Sequence, residues 1–243
     1  NHKSFVLAMD YSPDGRYLAT GGTGGQLNLW DMLSTNIVAE TTNCKTQINC
    51  LSFAHCGDRL AVGTATGSIY MYSMTRLKLI AQWEYPKRWI ENIAFSPDDT
   101  RLFIKAIWEK WELDLTQSRE KKISLQFTNE GNPRFGKLAQ YHGARLYIAS
   151  GNQVYAVESA NGRAVSLFNV AYGALNGIDL AVNGKQLAIA DFKGNLLIFD
   201  TATGMEVHSF KANECFIGQI KFIGKNRIFS YGMDGVGKLW DFD

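Results

Sequence analysis

Acidic and amide side chains occur within several short apolar runs, where they could do chemistry. Carboxylate and amide oxygens bind hard divalent cations, and a bound cation can activate water for hydrolysis. The side chains of this kind are Asp10, Asn49, Glu91, Asn92, Asn176 and Asp179. These side chains do not occupy one common position of the runs. At equivalent positions other runs hold Ala8, Cys50, Gly218 and Lys221. Metal-dependent hydrolysis therefore stays open as an alternative, but it is not the favoured function.

Aromatic and basic residues are concentrated between positions 83 and 111, a segment that contains tryptophans 83, 89, 108 and 111. Trp, Tyr and Arg are enriched at the energetic hot spots of protein interfaces, and an arginine beside a tryptophan can bind carboxylates or aromatic rings. We predict a partner-binding surface in this segment, whereas Trp83 and Trp111 are predicted to fill space in the core. The predicted members of the surface are Tyr85, Arg88, Trp89, Glu91 and Trp108.

Signatures of other chemistry are missing from the sequence. There is no Gly-x-Ser-x-Gly or His-Glu-x-x-His motif, and the glycine-rich segment 21–25 precedes a predicted strand, so it is not a phosphate-binding loop. Cys44, Cys50 and Cys56 lack the close pairing that zinc sites favour, even with His55 beside the last of them. We predict buried, reduced cysteines in a reducing compartment, the cytoplasm, and no catalytic residue, metal or cofactor.

Charge and hydropathy argue against two further classes of partner. The formal net charge is only +2, and the basic residues between positions 105 and 122 alternate with acidic ones. Such a mixed stretch is typical of a solvated surface rather than of a nucleic-acid interface. No apolar run approaches the roughly 18 residues that span a bilayer. We therefore predict no membrane insertion and no specific nucleic-acid partner.

A six-fold internal repeat supplies the elements that must position these residues. Pairs similar to Trp30-Asp31 recur at steps of 41 to 44 residues. A period of about 40–45 residues that ends in such a pair is typical of a propeller blade of four short strands. We predict an all-β fold, a β-propeller with six recognisable four-stranded blades in a single domain, residues 1–243. The pairs are Trp30-Asp31, Tyr72-Ser73, Leu113-Asp114, Val157-Glu158, Phe199-Asp200 and Trp240-Asp241.

The first repeat shows how a blade is built. Its predicted strands are Val6 to Tyr11, Arg16 to Thr20, Gln26 to Trp30 and Asn36 to Glu40, separated by turns with Gly, Pro and Asp. An apolar residue recurs at one place of the second strand, as packing between adjacent blades requires. The residues at this place are Leu18, Leu60, Leu102, Leu146, Leu187 and Ile228. The predicted partner-binding residues lie in the third repeat, in its first loop and in the hairpin before its third strand.

Two segments resemble WD40 repeats, LATGGTGGQLNLWD from Leu18 to Asp31 and SYGMDGVGKLWD from Ser230 to Asp241. Members of that family often carry a structural hydrogen-bond network. It consists of a Gly-His pair before the first strand, a Ser or Thr on the second strand, an Asp in the hairpin and the Trp. The resemblance implies this role for Ser230, Asp234 and Trp240, and for Trp30 in the first repeat. The Asp place holds Gly24 in the first repeat, and no repeat has the Gly-His pair.

The resemblance also implies a function, non-catalytic protein–protein interaction. The chain would be a scaffold subunit or the recognition module of a larger protein or complex, with a protein or peptide docked on its loop face. The alternative is a metal-dependent hydrolase of the six-bladed lactonase-like type, with its site in a central channel.

The last repeat is predicted to be one strand short, because the sequence stops at Asp243, directly after the third strand. An exposed sheet edge is a site for pairing with another strand. We expect either flanking residues or a partner strand to complete this blade by β-augmentation.

Overall fold

The computed structural model describes most of the chain, and all regular structure within the described residues is β-strand. Among the described residues, no helix is long and apolar enough to cross a membrane. Trp108 of the predicted partner-binding surface lies outside the described residues. The described residues are 2, 4–107, 109–117, 119–122, 139–142, 145–150, 152–158, 164–169, 175–181, 183–223, 226–232 and 234–242.

The chain separates into two compact bodies, Asn1–Ser124 and Leu125–Asp243. The N-terminal body holds three four-stranded antiparallel sheets, each with its strands in chain order: sheet 1 (β1–β4), sheet 2 (β5–β8) and sheet 3 (β9–β12). The strands are β1 (Val6–Tyr11), β2 (Tyr17–Gly22), β3 (Leu27–Asp31), β4 (Asn36–Thr41), β5 (Ile48–Phe53), β6 (Arg59–Thr64), β7 (Ser68–Ser73), β8 (Lys78–Glu84), β9 (Ile90–Phe95), β10 (Arg101–Ala106), β11 (Lys110–Asp114) and β12 (Arg119–Lys122).

The C-terminal body holds sheet 4 (β13–β16) and sheet 5 (β17–β20), both four-stranded, and sheet 6 (β21–β23), which has three strands. The predicted six repeats are confirmed, and so is the shorter last one. The strands are β13 (Ala139–His142), β14 (Arg145–Ser150), β15 (Gln153–Glu158), β16 (Ala164–Asn169), β17 (Leu175–Leu180), β18 (Gln186–Asp191), β19 (Asn195–Asp200), β20 (Glu206–Lys211), β21 (Ile217–Phe222), β22 (Arg227–Gly232) and β23 (Gly237–Asp241).

Serine and aspartate side chains close the first hairpin in sheets 1 and 3. The hydroxyl of Ser12 accepts a hydrogen bond from the Tyr17 amide at 2.8 Å and donates to Asp14 at 2.6 Å. In sheet 3 the Ser96 hydroxyl likewise donates to the Asp98 carboxylate at 2.6 Å. This hydrogen bond is the main reason that the pKa of the Asp98 carboxyl is lowered to about 2. The Ser-Pro-Asp sequence therefore forms the tight turn that it predicts.

Each body is stabilised by apolar clusters between consecutive sheets. Sheets 1 and 2 share one cluster and sheets 2 and 3 share another. In the C-terminal body, sheets 4 and 5 and sheets 5 and 6 pack in the same way. The apolar residue that recurs on the second strand is buried in sheets 2 to 6. In sheet 1 this residue is Leu18, which is only half-buried. Packing one sheet on the next is the source of core burial within each body.

A β-bulge recurs at the second residue of the first strand in five sheets, where the register shifts by one residue. A bulge turns a side chain away from the regular alternation of the strand. In sheets 2 and 5 the bulged asparagine reaches the next sheet. Asn49 Nδ2 donates to the Ile90 carbonyl at 2.9 Å, and Asn176 Nδ2 donates to the Ile217 carbonyl. The bulged residues are Leu7, Asn49, Glu91, Asn176 and Gly218.

Two aspartates make a second kind of tie between neighbouring sheets. Asp10 Oδ2 accepts from the Phe53 amide at 2.8 Å, and Asp179 Oδ2 accepts from the Phe222 amide at 2.7 Å. Both carboxylates are buried. Four of the six residues that suggested a metal site, Asp10, Asn49, Asn176 and Asp179, thus connect neighbouring sheets. They bond to backbone groups that would cost free energy if they were buried without a partner.

Asp99 makes a third tie, between the hairpin turns of sheets 2 and 3. Its carboxylate accepts from the His55 and Cys56 amides, each at 2.8 Å, and lies 3.1 Å from His55 Nδ1. Burial alone would raise the pKa of Asp99, but the hydrogen bonds from Cys56 and His55 outweigh burial and lower it. The charged form of Asp99 therefore stabilises the folded state.

We expect acid to lower the stability of the folded protein by protonating Asp99. A carboxyl with a lowered pKa in the folded state contributes stability above its unfolded pKa, about 3.9, and loses it as the pH falls below that value. We expect the free energy of unfolding of the wild type to fall more steeply below pH 4 than that of Asp99→Asn. Urea unfolding at pH 7, 5, 4 and 3 measures both slopes. Parallel curves for the two proteins would contradict this role.

Candidate functional site

The segment between β8 and β9 forms a tight, hydrogen-bonded turn. The Arg88 amide donates to the Tyr85 carbonyl at 3.1 Å, with Pro86 second in the turn and Lys87 third at φ +65°. Proline followed by a residue with positive φ is the arrangement of a type II turn. Pro86 and Lys87 are exposed, whereas Arg88 is half-buried. The turn therefore presents its tip to solvent from a fixed base.

Gly67, in the hairpin between β6 and β7, forms that base. Its carbonyl accepts from the Tyr85 amide at 2.8 Å. Its φ is +95°, and a Cβ added there would lie 1.8 Å from the Tyr85 carbonyl oxygen and 2.8 Å from the Arg88 carbonyl oxygen. The backbone of the turn thus packs directly on sheet 2, with no space for a side chain between them.

Tyr85 is buried, with 7% of its surface exposed, and its ring centroid lies 4.9 Å from that of Trp111. The reason is its place in the repeat. Tyr85 precedes Leu113 by the same 28 positions as His2 precedes Trp30 and Cys44 precedes Tyr72. At this place Cys44 is buried and His2 is half-buried, and the buried Tyr85 ring supports the turn from below. Trp111 is buried and Trp83 packs partly buried against the same cluster, as predicted.

Arg88 connects the turn to the hairpin before β11. Its Nε lies 3.0 Å from Glu109 Oε2, and its guanidinium lies 5.3 Å from the Trp111 ring and 5.9 Å from the Tyr85 ring. The side chain is still 41% exposed. Within the described residues its two Nη groups make no hydrogen bond, so they are available to a carboxylate of a partner.

Glu91 is the bulged residue of β9, and it points inward. It forms an ion pair with Lys105 Nζ, and the two side chains are 3% and 6% exposed. Glu91 is therefore a buried structural group in this structure rather than part of an exposed surface. The sequence pattern did not predict this placement. It assumes that side chains alternate regularly between the two faces of a strand, and it does not show which residue is bulged.

Trp89 is half-buried and stands immediately before β9. The residues at this place in sheets 1, 2 and 6 are Phe5, Gln47 and Phe216. Phe5 is 81% exposed, and in the C-terminal body Phe216 lies 5.6 Å from Phe192, measured between ring centroids. An aromatic side chain before the first strand is thus a recurrent surface feature that the sequence analysis singled out only at Trp89.

A hydrogen-bond chain runs through the residues that the WD40 resemblance marked. Trp30 Nε1 donates to Thr20 Oγ1 at 2.8 Å, and His2 Nε2 lies 2.7 Å from the same oxygen. In sheet 6, Trp240 Nε1 donates to Ser230 Oγ at 2.9 Å, and Ser230 donates to Asn213 Oδ1 at 2.8 Å. His2 and Asn213 take the histidine place without a preceding glycine, so a search for Gly-His misses them.

Asp234 stands apart from that chain. Its carboxylate accepts from the Val236 amide at 3.0 Å, and its own amide donates to Cys215 Sγ at 3.1 Å. The first bond closes the hairpin before β23, and the second ties that hairpin to the segment before β21. Within the described residues, Asp234 makes no hydrogen bond to Ser230 or Trp240.

Removing the Thr20 hydroxyl should destabilise sheet 1. Thr20→Val leaves Trp30 Nε1 and His2 Nε2 without their partner, and an unsatisfied buried polar group costs about 1–3 kcal/mol. Chemical denaturation measures the loss. Thr23→Val is the matched control, because the half-buried Thr23 side chain makes no hydrogen bond within the described residues. Equal stability of the two variants would show that the hydrogen bonds from Trp30 through Thr20 to His2 contribute nothing to the free energy of unfolding.

The four cysteines are free, with Cys44 and Cys50 buried. Burial raises the pKa of the Cys44 thiol to about 11 and raises that of Cys50 further. Metal binding needs the thiolate, which this environment disfavours. Among the described residues, no group of three or more His, Cys, Asp or Glu side chains could hold a metal ion.

Comparison with known proteins gives a family match for the first two repeats. The family model described as "WD domain, G-beta repeat" (WD40) matches residues 1–31 and 37–73. "WD repeat-containing protein VIP3" of Arabidopsis thaliana is 28% identical over 113 residues, 41% of this chain and 35% of that protein. "U3 small nucleolar RNA-associated protein 15 homolog" of Xenopus laevis is 25% identical over 140 residues, 54% of this chain and 27% of that protein. The chain spans about a third or less of these relatives.

Solved structures match the fold over nearly the whole chain. The WD40 repeats of RRP9 align with a TM-score of 0.83 at 10% identity, covering 99% of this chain and 77% of that one. The structure of U3-55K aligns with a TM-score of 0.82 at 10% identity, covering 99% and 78%. Residues 1–31 and 37–73 therefore match WD40 repeats, and the all-β fold of the chain is that of the solved WD40 propellers, as the sequence predicts.

Proposed function

We propose that this chain is a non-catalytic protein-interaction domain, a scaffold subunit or recognition module of a larger assembly. The WD40 repeats support this function, and several relatives carry names of binding proteins or complex subunits. Examples are "UBP9-binding protein bun62" of Schizosaccharomyces pombe and "Transcription initiation factor TFIID subunit 5" of Caenorhabditis elegans. Nothing in the comparisons supports the hydrolase alternative, and most residues that suggested it tie neighbouring sheets together.

The docking site that we propose is the exposed part of the turn before β9, formed by Pro86, Lys87, Arg88 and Trp89 and called the turn surface below. The single observation that supports it most is Arg88, fixed at 3.0 Å from Glu109 and over two aromatic rings while 41% of its side chain stays exposed. A pre-positioned arginine loses little side-chain freedom when a partner binds. Tyr85 and Glu91 support this surface from inside.

The chemistry of the turn surface favours a partner that presents an acidic group beside an apolar one. Lys87 and Arg88 supply positive charge, and the Arg88 Nη donors match a carboxylate in pairs. Trp89 supplies the apolar contact area that is typical of interface hot spots. We propose a protein or peptide of this kind, and neither a nucleic acid nor a membrane.

We also propose that the six repeats form one domain and that the protein works in a reducing compartment, which four free cysteines support. The narrower prediction of the cytoplasm is not supported. The relatives include one named for a small nucleolar RNA and one named as a subunit of the transcription factor TFIID.

Affinity capture with matched variants tests the proposed site. The double variant Arg88→Ala/Trp89→Ala should lose a stoichiometric partner that the wild type retains, because truncated hot-spot residues cost at least about 2 kcal/mol each. The control is Lys78→Ala/Gln82→Ala, two exposed positions on β8 of the preceding sheet. Loss of the partner in both variants, or in neither, would contradict the assignment of the turn surface.

A further inference from the structure

Lys45 and Lys87 occupy the same place in consecutive repeats. Each stands three residues before the first strand of its sheet, which begins at Ile48 in sheet 2 and at Ile90 in sheet 3. Both lysines are exposed, and both have a positive φ, +55° for Lys45 and +65° for Lys87. Residues other than glycine rarely adopt this conformation. The two turns therefore present a lysine side chain in the same way, at the same end of neighbouring sheets.

Gly25, in the hairpin between β2 and β3, supports the Lys45 turn as Gly67 supports the turn surface. A Cβ added at Gly25, where φ is +73°, would lie 2.9 Å from the Thr46 amide nitrogen and 3.2 Å from the Lys45 carbonyl carbon. The Lys45 amide also donates to the Thr42 carbonyl at 3.2 Å. Backbone contacts thus hold both lysine turns in place.

Two amide side chains tie the starts of β5 and β9 together, directly after these turns. Asn49 Nδ2 donates to the Ile90 carbonyl at 2.9 Å, and Gln47 Nε2 donates to Asn49 Oδ1 at 2.8 Å. Packed sheets lie about 10 Å apart. The two lysine turns are therefore neighbours, at a separation of about this size.

The hairpin between β6 and β7, residues 64–68, contacts both turns and carries no charge. The WD40 network often has an aspartate in this hairpin, but the residue at that place in sheet 2 is Thr66. Thr66 is exposed, and its hydroxyl oxygen lies 3.2 Å from that of Thr46. Within the described residues, the ammonium groups of Lys45 and Lys87 make no hydrogen bond or ion pair. Two positive charges without a counter-charge thus flank an uncharged hairpin.

The carboxylates at this end of sheets 2 and 3 already have partners. These are Ser68 Oγ for Glu84, Lys105 for Glu91 and Arg88 for Glu109. The positive charges that remain available are the two lysines and the outer side of the Arg88 guanidinium. Complementary charge across an interface selects the partner and speeds its association, so this surface favours an acidic partner with more than one carboxylate.

We propose that the partner of the turn surface is an extended acidic peptide segment that crosses two repeats. One carboxylate lies on Lys45, and another lies on Lys87 and Arg88. Alternate side chains of an extended segment share one face, so carboxylates two or four residues apart are separated by about 7 or about 13 Å, which brackets the separation of the turns. The inference rests on docking at the turn surface, and it adds Lys45 as a specificity-determining residue.

A nucleic acid fits this surface less well than an acidic peptide. Binding to a phosphate backbone needs several cations in succession. Here three acidic residues border the cations, Glu40 at the end of β4, Glu84 at the end of β8 and Glu109 beside Arg88. They would repel a continuous row of phosphates, whereas a peptide with two separate carboxylates avoids them.

Fluorescence anisotropy with labelled peptides tests the proposal. The probes are Gly-Ser peptides with one leucine and two glutamates, two or four residues apart, and the reference peptide has one glutamate. We expect the wild type to bind at least one probe about two to five times more tightly than the reference, the effect of one exposed charge pair. Lys45→Gln should remove this preference and Lys45→Arg should retain it. At about 1 M salt, where screening acts within about 3 Å, the preference should vanish.

Arg76→Gln is the matched control for Lys45→Gln. Arg76 is also an exposed cation of sheet 2 with a positive φ, +57°, but it lies between β7 and β8, at the opposite end of the sheet. Arg76→Gln should keep the preference for two glutamates. If Arg76→Gln and Lys45→Gln lose it equally, net charge alone explains the binding and the proposal is wrong.

Three further results would overturn the proposal. They are a wild type that does not prefer the second glutamate, a preference that survives in Lys45→Gln, and equally tight binding of an oligothymidylate of the same net charge. The last result would indicate a general surface for polyanions.

The variant Arg88→Ala/Trp89→Ala separates this inference from the proposed function. If it loses peptide binding while Lys45→Gln keeps the preference, the turn surface is correct and its extension to Lys45 is wrong. If it binds every peptide like the wild type, the proposed docking site itself is wrong.

Discussion

Gly67→Ala is expected to be among the most damaging single substitutions in the N-terminal body. An L-residue at positive φ costs about 1–2 kcal/mol, and at Gly67 the new methyl would also meet the Tyr85 carbonyl oxygen at 1.8 Å. The position of the new Cβ is fixed by the backbone of residue 67 and the oxygen is a backbone atom of Tyr85, so neither can rotate away. We expect a loss of at least about 4 kcal/mol, in the range that single substitutions reach only through a specific structural defect.

Gly15→Ala is the matched control for Gly67→Ala. Gly15 also has a positive φ, +70°, but no atom lies within 4 Å of an added Cβ. Its cost should be the conformational part alone, about 1–2 kcal/mol. Urea unfolding of the two variants separates the effect of backbone conformation from that of contact with the turn. Equal losses would show that the turn before β9 does not depend on the close approach of Gly67.

Lys105→Met should be comparably destabilising, for an electrostatic reason. It removes the partner of the buried Glu91 carboxylate and leaves an uncompensated charge inside sheet 3. Breaking a buried ion pair on one side costs about 3–5 kcal/mol. Arg227→Met is the control, because the Arg227–Asp241 pair is exposed, with side chains 52% and 76% accessible. An exposed pair of this kind contributes about 0–1 kcal/mol.

The double variant Glu91→Leu/Lys105→Met distinguishes charge from packing. Replacing both members of a buried pair by apolar side chains is often neutral or stabilising. We therefore expect the double variant to recover most of the stability that Lys105→Met loses, as measured by denaturant unfolding. If the double variant is as unstable as the single one, the side-chain packing of Lys105 matters and the ion pair does not.

The sequence predicts the repeat and its turns well because both depend on local chemistry. Ser12, Pro13 and Asp14 determine a hairpin through bonds within five residues, and the same residue types recur at Ser96 to Asp98. The period of the Trp-like pairs then defines six sheets. The three-stranded last sheet follows from the same count of strands.

The candidate site was less predictable, because it depends on contacts between distant segments. Tyr85 is internal because it takes the place that His2 takes in the first repeat, which the Trp-Asp pairs alone do not show. Glu91 is internal because β9 bulges at that residue. The close approach of Gly67 to Tyr85 joins two repeats, and no local pattern encodes it.

The most direct test of the account is the affinity of the captured partner for the purified chain and its variants. We predict that Arg88→Ala/Trp89→Ala weakens the dissociation constant at least about 100-fold while the melting temperature falls by less than about 5 °C. Lys78→Ala/Gln82→Ala should bind like the wild type. Unchanged affinity in a folded Arg88→Ala/Trp89→Ala protein would contradict the claim that this turn is the docking site.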